Sequence, residues 1–245
     1  MDRRRQEIHP GCRRARVARS LRALAGLKGW QRLVNCLVPV QCAGRFRVEN
    51  DRRLFEGDLK SFVDRNVYLF GGYEKERIER FLSWVPSARR GTVLDIDANA
   101  GTHSLVFSGV FAEVHAFEPN PSLWSQFERN TALNRIVNVT LHRIGLDDSN
   151  RLFYMIDKEN DGLGTFSAME QYDLPLRQVG VARLACGARY LGSRHIISID
   201  AIKVDVQGFE LGVFRGLAPV LERDKPVVWL ELGARPSARW RGSRR

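Results

Sequence analysis

Residues 92–105 read TVLDIDANAGTHSL. Thr92 to Ile96 is a short apolar run carrying one acid, Asp95, and it suits a strand buried on both faces of a parallel sheet. Asp97 to Gly101 gathers small and turn-forming residues, and 102–110 is compatible with a helix. A strand, a small-residue loop and a helix in that order let a ligand approach the backbone N–H groups at the helix start.

The pattern continues on both sides. Val114–Phe117 reads as a second buried strand. Asn120 and Pro121 then stand as N-cap and first helical residue, with Leu123, Trp124 and Phe127 on one helical face. Further strands are expected at 139–144, 151–156, 201–206 and 227–232, with a helix over 209–221 that turns Val213, Phe214, Leu217 and Leu221 inward. Alternating strands and helices predict an α/β fold, a mostly parallel sheet with helices on both faces.

Such sheets bind ligands beyond the carboxyl ends of their strands, where the strand order reverses. The residues at those ends are Asp95, Asp97, Asn99 and Gly101 after the first strand, Glu118 and Asn120 after the second, Asp147 after the third, and Asp205 at the end of 201–206. Glu118 follows Asp95 by 23 positions, the spacing at which nucleoside-binding α/β folds place an acid on the ribose hydroxyls. Asp147, with Asp148 as the alternative, is placed to accept from an adenine amino group. These loops lack a GxxxxGK[ST] motif and the basic side chains that hold a pyrophosphate. A nucleoside without phosphates therefore fits best; S-adenosyl-L-methionine suits the pattern better than ATP or NAD. The cysteines and histidines have no zinc-type spacing, so no metal is expected.

Val93–Leu105 resembles the VLDIGANIGxxSL motif of the FkbM-type methyltransferases. Residues 116–121 (AFEPNP) match another of its motifs, Asn130 and Asn134 its following asparagines, and 202–210 (IKVDVQGFE) its IKIDVEGFE. Residues 67–74 (VYLFGGYE) are similar to its entry segment, and Gly145–Asp148 stands where the family has a turn. The resemblance implies a Rossmann-like class I methyltransferase fold over 55–232. It implies S-adenosyl-L-methionine as methyl donor and O-methylation of a small-molecule or glycan-type acceptor. Tyr73 and Glu74 would line the methionine end or serve as helix N-terminal residues, and His103 would pack or act as a base. No residue is assigned as catalytic, and Lys203 is expected to point out of its strand or toward its end.

Three features depart from the pattern. Asp97 stands where the family has its first glycine, a position that favours an open, left-handed backbone; its charge is expected to weaken donor binding. Gln207 replaces the commoner Glu. The sheet is expected to end with 227–232, without the C-terminal strands of a full methyltransferase fold, leaving an edge that a second copy could pair. These departures motivate the alternative of a catalytically inactive or truncated methyltransferase-fold protein with a binding role. The segment 171–195 fits the family poorly, and Gly162 and Gly164 read as a turn.

The 245 residues carry a net charge of +11, concentrated at the ends. Residues 1–32 hold ten basic and two acidic side chains, and 233–245 five arginines and no acid; the stretch between is nearly neutral, with 24 basic and 26 acidic. The chain thus divides into a basic extension (1–54), the domain (55–232) and an Arg-rich tail (233–245). Absence of interleaved aromatic residues over 1–20 speaks against nucleic acid as a partner. Leu21, Leu24, Leu27, Trp30, Val34 and Leu37 make one helical stripe, open to three readings: a helix packed on the domain, a helix in peripheral contact with a membrane surface, or an organelle-targeting segment. No run reaches the length of a transmembrane span. Four scattered cysteines suit reduced thiols and a cytoplasmic location.

Overall fold

The computed structural model of the chain describes residues 7–24, 30–39, 41–157 and 177–231. It begins with α1 (Arg13–Ser20), a single 3-10 turn, and α2 (Trp30–Leu37), followed by the antiparallel hairpin of β1 (Arg45–Asn50) and β2 (Arg53–Asp58). The hairpin turns at Asp51 and Arg52, at φ 48° and 65°. This two-residue turn matches the twist of its strands but lacks the usual glycine, which removes its signal from the sequence. Helices α3 (Phe62–Phe70) and α4 (Lys75–Trp84) follow. Ser61 caps α3 by accepting from the Asp64 amide, and Gly71 ends it at φ 82°.

This N-terminal part is not a detached extension. Ala15, Ala18, Phe46, Val48, Phe55, Val67 and Tyr68 share one core with Ala100 and Leu105, and the expected boundary at 54/55 falls inside β2. Of the expected stripe, Val34 is buried, and Leu27 lies outside the described residues. Small Ala15 and Ala18 let α1 approach α3, and Val34 and Val38 are buried, whereas Leu21 and Leu37 are each 39% exposed. Cys12 and Cys42 form a disulfide, which corrects the expectation of four reduced thiols; Cys36 and Cys186 are free. Among the described residues no helix is long and apolar enough to cross a membrane.

The remaining elements are β3 (Thr92–Ile96), α5 (Thr102–Phe107), β4 (Glu113–Phe117), α6 (Pro121–Leu133), β5 (Val139–His142), β6 (Gly145–Asp147), β7 (Arg151–Asp157), β8 (Arg177–Cys186), α7 (Gly187–Ser193), β9 (Ile199–Val204), α8 (Glu210–Asp224) and β10 (Val227–Leu230). Five strands make a parallel sheet in the order β10-β9-β3-β4-β5. Its order reverses at β3, which lies between β4 and β9. One face packs Leu94, Phe117, Ile202 and Val204 on Val213, Leu217 and Val220 of α8. The other packs Val93, Val114 and Ala201 on Ile78, Phe81 and Phe107. Helices thus cover both faces, as expected.

The expected third strand, 139–144, is two residues shorter. β5 stops at His142, and β6 joins a separate sheet in the order β6-β8-β7, in which β8 runs parallel to β6 and antiparallel to β7. β8 and α7 fill much of the segment the sequence left unplaced. The turn expected at Gly162 and Gly164 and the Arg-rich tail lie outside the described residues, as does anything that follows β10 in the sheet beyond Glu231.

Candidate nucleoside-binding crevice

At the reversal of strand order, the loop after β3 is folded by its own backbone strain. Asp97, Asn99 and Gly101 all have positive φ, at 67°, 52° and 88°. The amides of Asp97 and Ala98 both donate to the Phe117 carbonyl at 3.0 Å, so the loop wraps the end of β4. Gly101 has a second constraint: a Cβ there would come within 3.0 Å of the Phe127 ring.

Glu118 ends β4 and is buried. Its Oε2 accepts from the Asn99 amide and its Oε1 from the Asn120 amide, each at 2.7 Å. The Trp124 indole N–H donates to the Glu118 carbonyl at 2.7 Å. Asn120 caps α6, its Oδ1 accepting from the Ser122 amide at 3.0 Å and hydroxyl at 2.7 Å. Asn130 and Asn134 act at longer range. Asn130 Nδ2 donates to the Ala100 carbonyl at 3.0 Å and its Oδ1 accepts from the Glu56 amide, while Asn134 both donates to and accepts from the Leu54 backbone. The two side chains tie the loop to the free edge of β2.

Asp95 is wholly buried and points away from the crevice: its Oδ2 accepts from the Ser104 hydroxyl at 2.6 Å, and its Oδ1 lies 3.3 Å from Lys203 Nζ. Lys203 takes the second of its two expected directions, toward the strand end. It is 2% exposed and donates to the Asp97 carbonyl at 2.8 Å, beneath the loop. Burial lowers its pKa, but Asp95, Asp205 and Asp97 prevail and raise it, so the ammonium stays charged. Asp147 is the residue expected near the adenine amino group. It is buried and pairs with Arg151, whose Nε donates to its Oδ2 at 2.5 Å. Asp205 lies at the end of β9, its amide donating to the Ile96 carbonyl.

The crevice is walled by Ile96, Pro119, Leu146, Leu184, Val206 and Phe209, encloses about 20 Å³, and has Asp97 as the acid in its lining. Burial pushes Asp97 up to about 7, aided by Asp205 and Asp95 and opposed by Lys203. Burial and the Asp97 charge also raise Glu118 well above the carboxylate range.

A second cluster stands on the β10 side. Glu74 precedes α4 at φ 54°, its Oε2 3.5 Å from His103 Nε2. Arg77 bridges Glu74 and Glu231. His103 is packed by Tyr73 and by Trp229, with ring centroids 5.9 and 5.1 Å away. Burial raises Glu74, but His103 and Arg77 beside it hold its carboxyl below the usual range. Tyr73 also lines a cavity of about 310 Å³ with Phe55, Gly72, Lys75, Thr102 and Leu105. Of the expected residues, Asp97 lines the crevice, while Glu118 joins Asn99 and Asn120 through their amides. The sequence reading missed Lys203 and Trp124, although the lysine inside the apolar run 201–206 was the available signal.

Residues 95–243 match the Methyltransferase FkbM domain family. Methyltransferase 1 of Beauveria bassiana is 29% identical over 147 residues, covering 51% of this chain and 57% of that protein. The hexuronic acid methyltransferase AglP of Haloferax volcanii is 27% identical over 134 residues, covering 55% of this chain and 53% of that protein. The chain therefore spans a little over half the length of these curated relatives. The crystal structure of a methyltransferase FkbM from Methylobacillus flagellatus is 18% identical, with 67% of this chain and 41% of that chain covered and a TM-score of 0.39.

Proposed function

The chain belongs to the FkbM methyltransferase family, and on that premise we propose that it transfers a methyl group from S-adenosyl-L-methionine to a hydroxyl of a small-molecule or glycan-type acceptor. The observation that carries this reading is the Glu118 carboxylate, fixed by two loop amides at the reversal of strand order. The donor set fits the nucleoside. Glu118 would accept the ribose hydroxyls, the apolar walls from Ile96 to Phe209 would hold the adenine, and the 97–101 loop would face the methionine end. The donor, when bound, supplies an activated methyl group. The chain's own contribution is orientation and exclusion of water. His103, on the helix that follows the loop and with Glu74 at 3.5 Å, would be the residue to hold an acceptor proton. The name of the Haloferax relative supports a sugar-type acceptor.

The test is mass-spectrometric detection of methyl transfer to a panel of glycosides and small polyols, with Glu118→Ala as control. Transfer by the wild type and at least tenfold less by the variant is the expected result. A second reading, an inactive binding protein of the same fold, is motivated by Asp97 inside the crevice; donor binding without transfer to any acceptor would favour it.

A further inference from the structure

A cavity of about 380 Å³ lies between the β1–β2 hairpin and α6, apart from the crevice. That volume falls in the range of small-molecule sites, roughly 300 Å³ and upward. Its lining is mainly polar, with Arg45, Glu56 and Asp58 from the hairpin and Ser122, Gln126 and Arg129 from α6. The two guanidinium and two carboxylate charges cancel. Phe46 and Gly57 add apolar surface. The fold leaves groups of both hydrogen-bonding kinds over. Gln126 Nε2 donates to the Glu56 carbonyl at 3.1 Å and to Asp64 Oδ2 at 3.0 Å. Both its amide hydrogens are thus used, and Oε1 remains as an acceptor. Asp58 Oδ1 accepts from the Gly44 and Lys60 amides at 3.3 and 3.0 Å, which leaves Oδ2. Arg129 places Nε 3.4 Å from Glu56 Oε2 and keeps its other N–H groups as donors. The exposed Arg45 has no ion pair among the described residues.

We propose that this cavity binds a neutral sugar unit of the glycan acceptor. A sugar hydroxyl both donates and accepts, so neighbouring hydroxyls match a set in which Arg45 and Arg129 donate and Asp58 and Gln126 accept. The apolar C–H face of a sugar ring suits Phe46 and Gly57. A phosphate would meet Glu56 and Asp58, and a divalent cation would meet two guanidiniums, so neither suits a lining of balanced charge. The start of α6 joins the cavity to the donor acid. Ser122, in the cavity lining, donates through its amide and hydroxyl to Asn120 Oδ1 at 3.0 and 2.7 Å. The Asn120 amide in turn donates to Glu118 at 2.7 Å. A glycan seated in the cavity is held beside the residues assigned to the donor. The site deepens the glycan-acceptor reading and rests on it.

Saturation-transfer NMR and calorimetric titration of the intact chain with neutral gluco-, galacto- and manno-oligosaccharides test the site, with inorganic phosphate as the anionic probe. Wild type is expected to bind a neutral oligosaccharide saturably. Arg45→Ala and Asp58→Asn should each weaken that binding about tenfold, the loss expected of a hydrogen bond to a charged group. Asp58→Asn keeps the Oδ1 acceptor for the Gly44 and Lys60 amides, and Arg45→Ala removes an exposed side chain. Both variants should therefore melt as wild type does and bind S-adenosyl-L-methionine with unchanged Kd. In the transfer assay they should raise KM for an oligosaccharide acceptor and leave kcat unchanged. Absence of oligosaccharide binding by wild type overturns the proposal. So does equal affinity in wild type and both variants, and so does tighter binding of phosphate than of any sugar. Methyl transfer to a glycan with KM unmoved in the variants overturns the sugar site and leaves the methyltransferase reading intact. Variant-sensitive sugar binding without transfer to any acceptor supports the site and overturns that reading.

Discussion

Lys203 is the residue whose role changes most between sequence and structure. Within IKVDV it reads as a strand residue of no evident role. Folded, it is a buried cation holding Asp95 and the carbonyl that opens the loop. Lys203→Met keeps the apolar stem and removes the charge, leaving Asp95 uncompensated; chemical denaturation should show a loss of about 3–5 kcal/mol. Asp97 acts in the opposite sense with pH. Its folded pKa, about 7, lies above the ordinary 3.8, so its stabilising contribution is full below the ordinary value and is lost as pH rises through about 7. Wild type should lose stability relative to Asp97→Asn between pH about 4 and 7, read from thermal midpoints; parallel profiles would contradict it. Glu118 and Asp97 were legible because their motif positions are local. The partner of Asp147 was not, since spacing shows that an acid follows a strand but not which way its carboxylate turns.

At the scale of elements, the parallel strands β3, β4, β9 and β10 were visible as short, mainly apolar runs, and α6 through its Asn-Pro start. β7 was expected at 151–156 and spans Arg151–Asp157, whereas β6 and β8 were obscured because their pairing joins residues 39 positions apart, as in Gly145 with Leu184. How α8 seats on β6 was equally hidden. A Cβ at Gly216 would meet the Asp147 carbonyl oxygen at 1.8 Å, whereas one at Gly192 meets nothing within 4 Å. Gly216→Ala should therefore fail to fold or melt far below wild type in scanning calorimetry, and Gly192→Ala should melt within a degree or two of it. Asn130→Ala removes partners from the Glu56 amide and the Ala100 carbonyl. Two buried polar groups left unpaired cost about 1–3 kcal/mol each, and equilibrium unfolding measures it.

Across the whole molecule, the N-terminal residues prove to be part of the domain that carries the site. The hairpin, α1 and α3 share a core with Ala100 and Leu105, so a truncation at 54/55 removes one wall of the loop's support. The Cys12–Cys42 disulfide closes 30 residues of that region. Reduction, or Cys12→Ser, is expected to lower stability by about 2–4 kcal/mol, with no further effect of reductant on the variant. The basic ends and the near-neutral stretch between them gave no guide to the acceptor. The most direct measurement of that site is saturation binding of radiolabelled S-adenosyl-L-methionine to the intact chain and to Glu118→Ala, at pH about 8. One saturable site per chain, weakened at least tenfold by the substitution, is the expected result. No saturable binding, or equal affinity in both proteins, would contradict the assignment of the crevice.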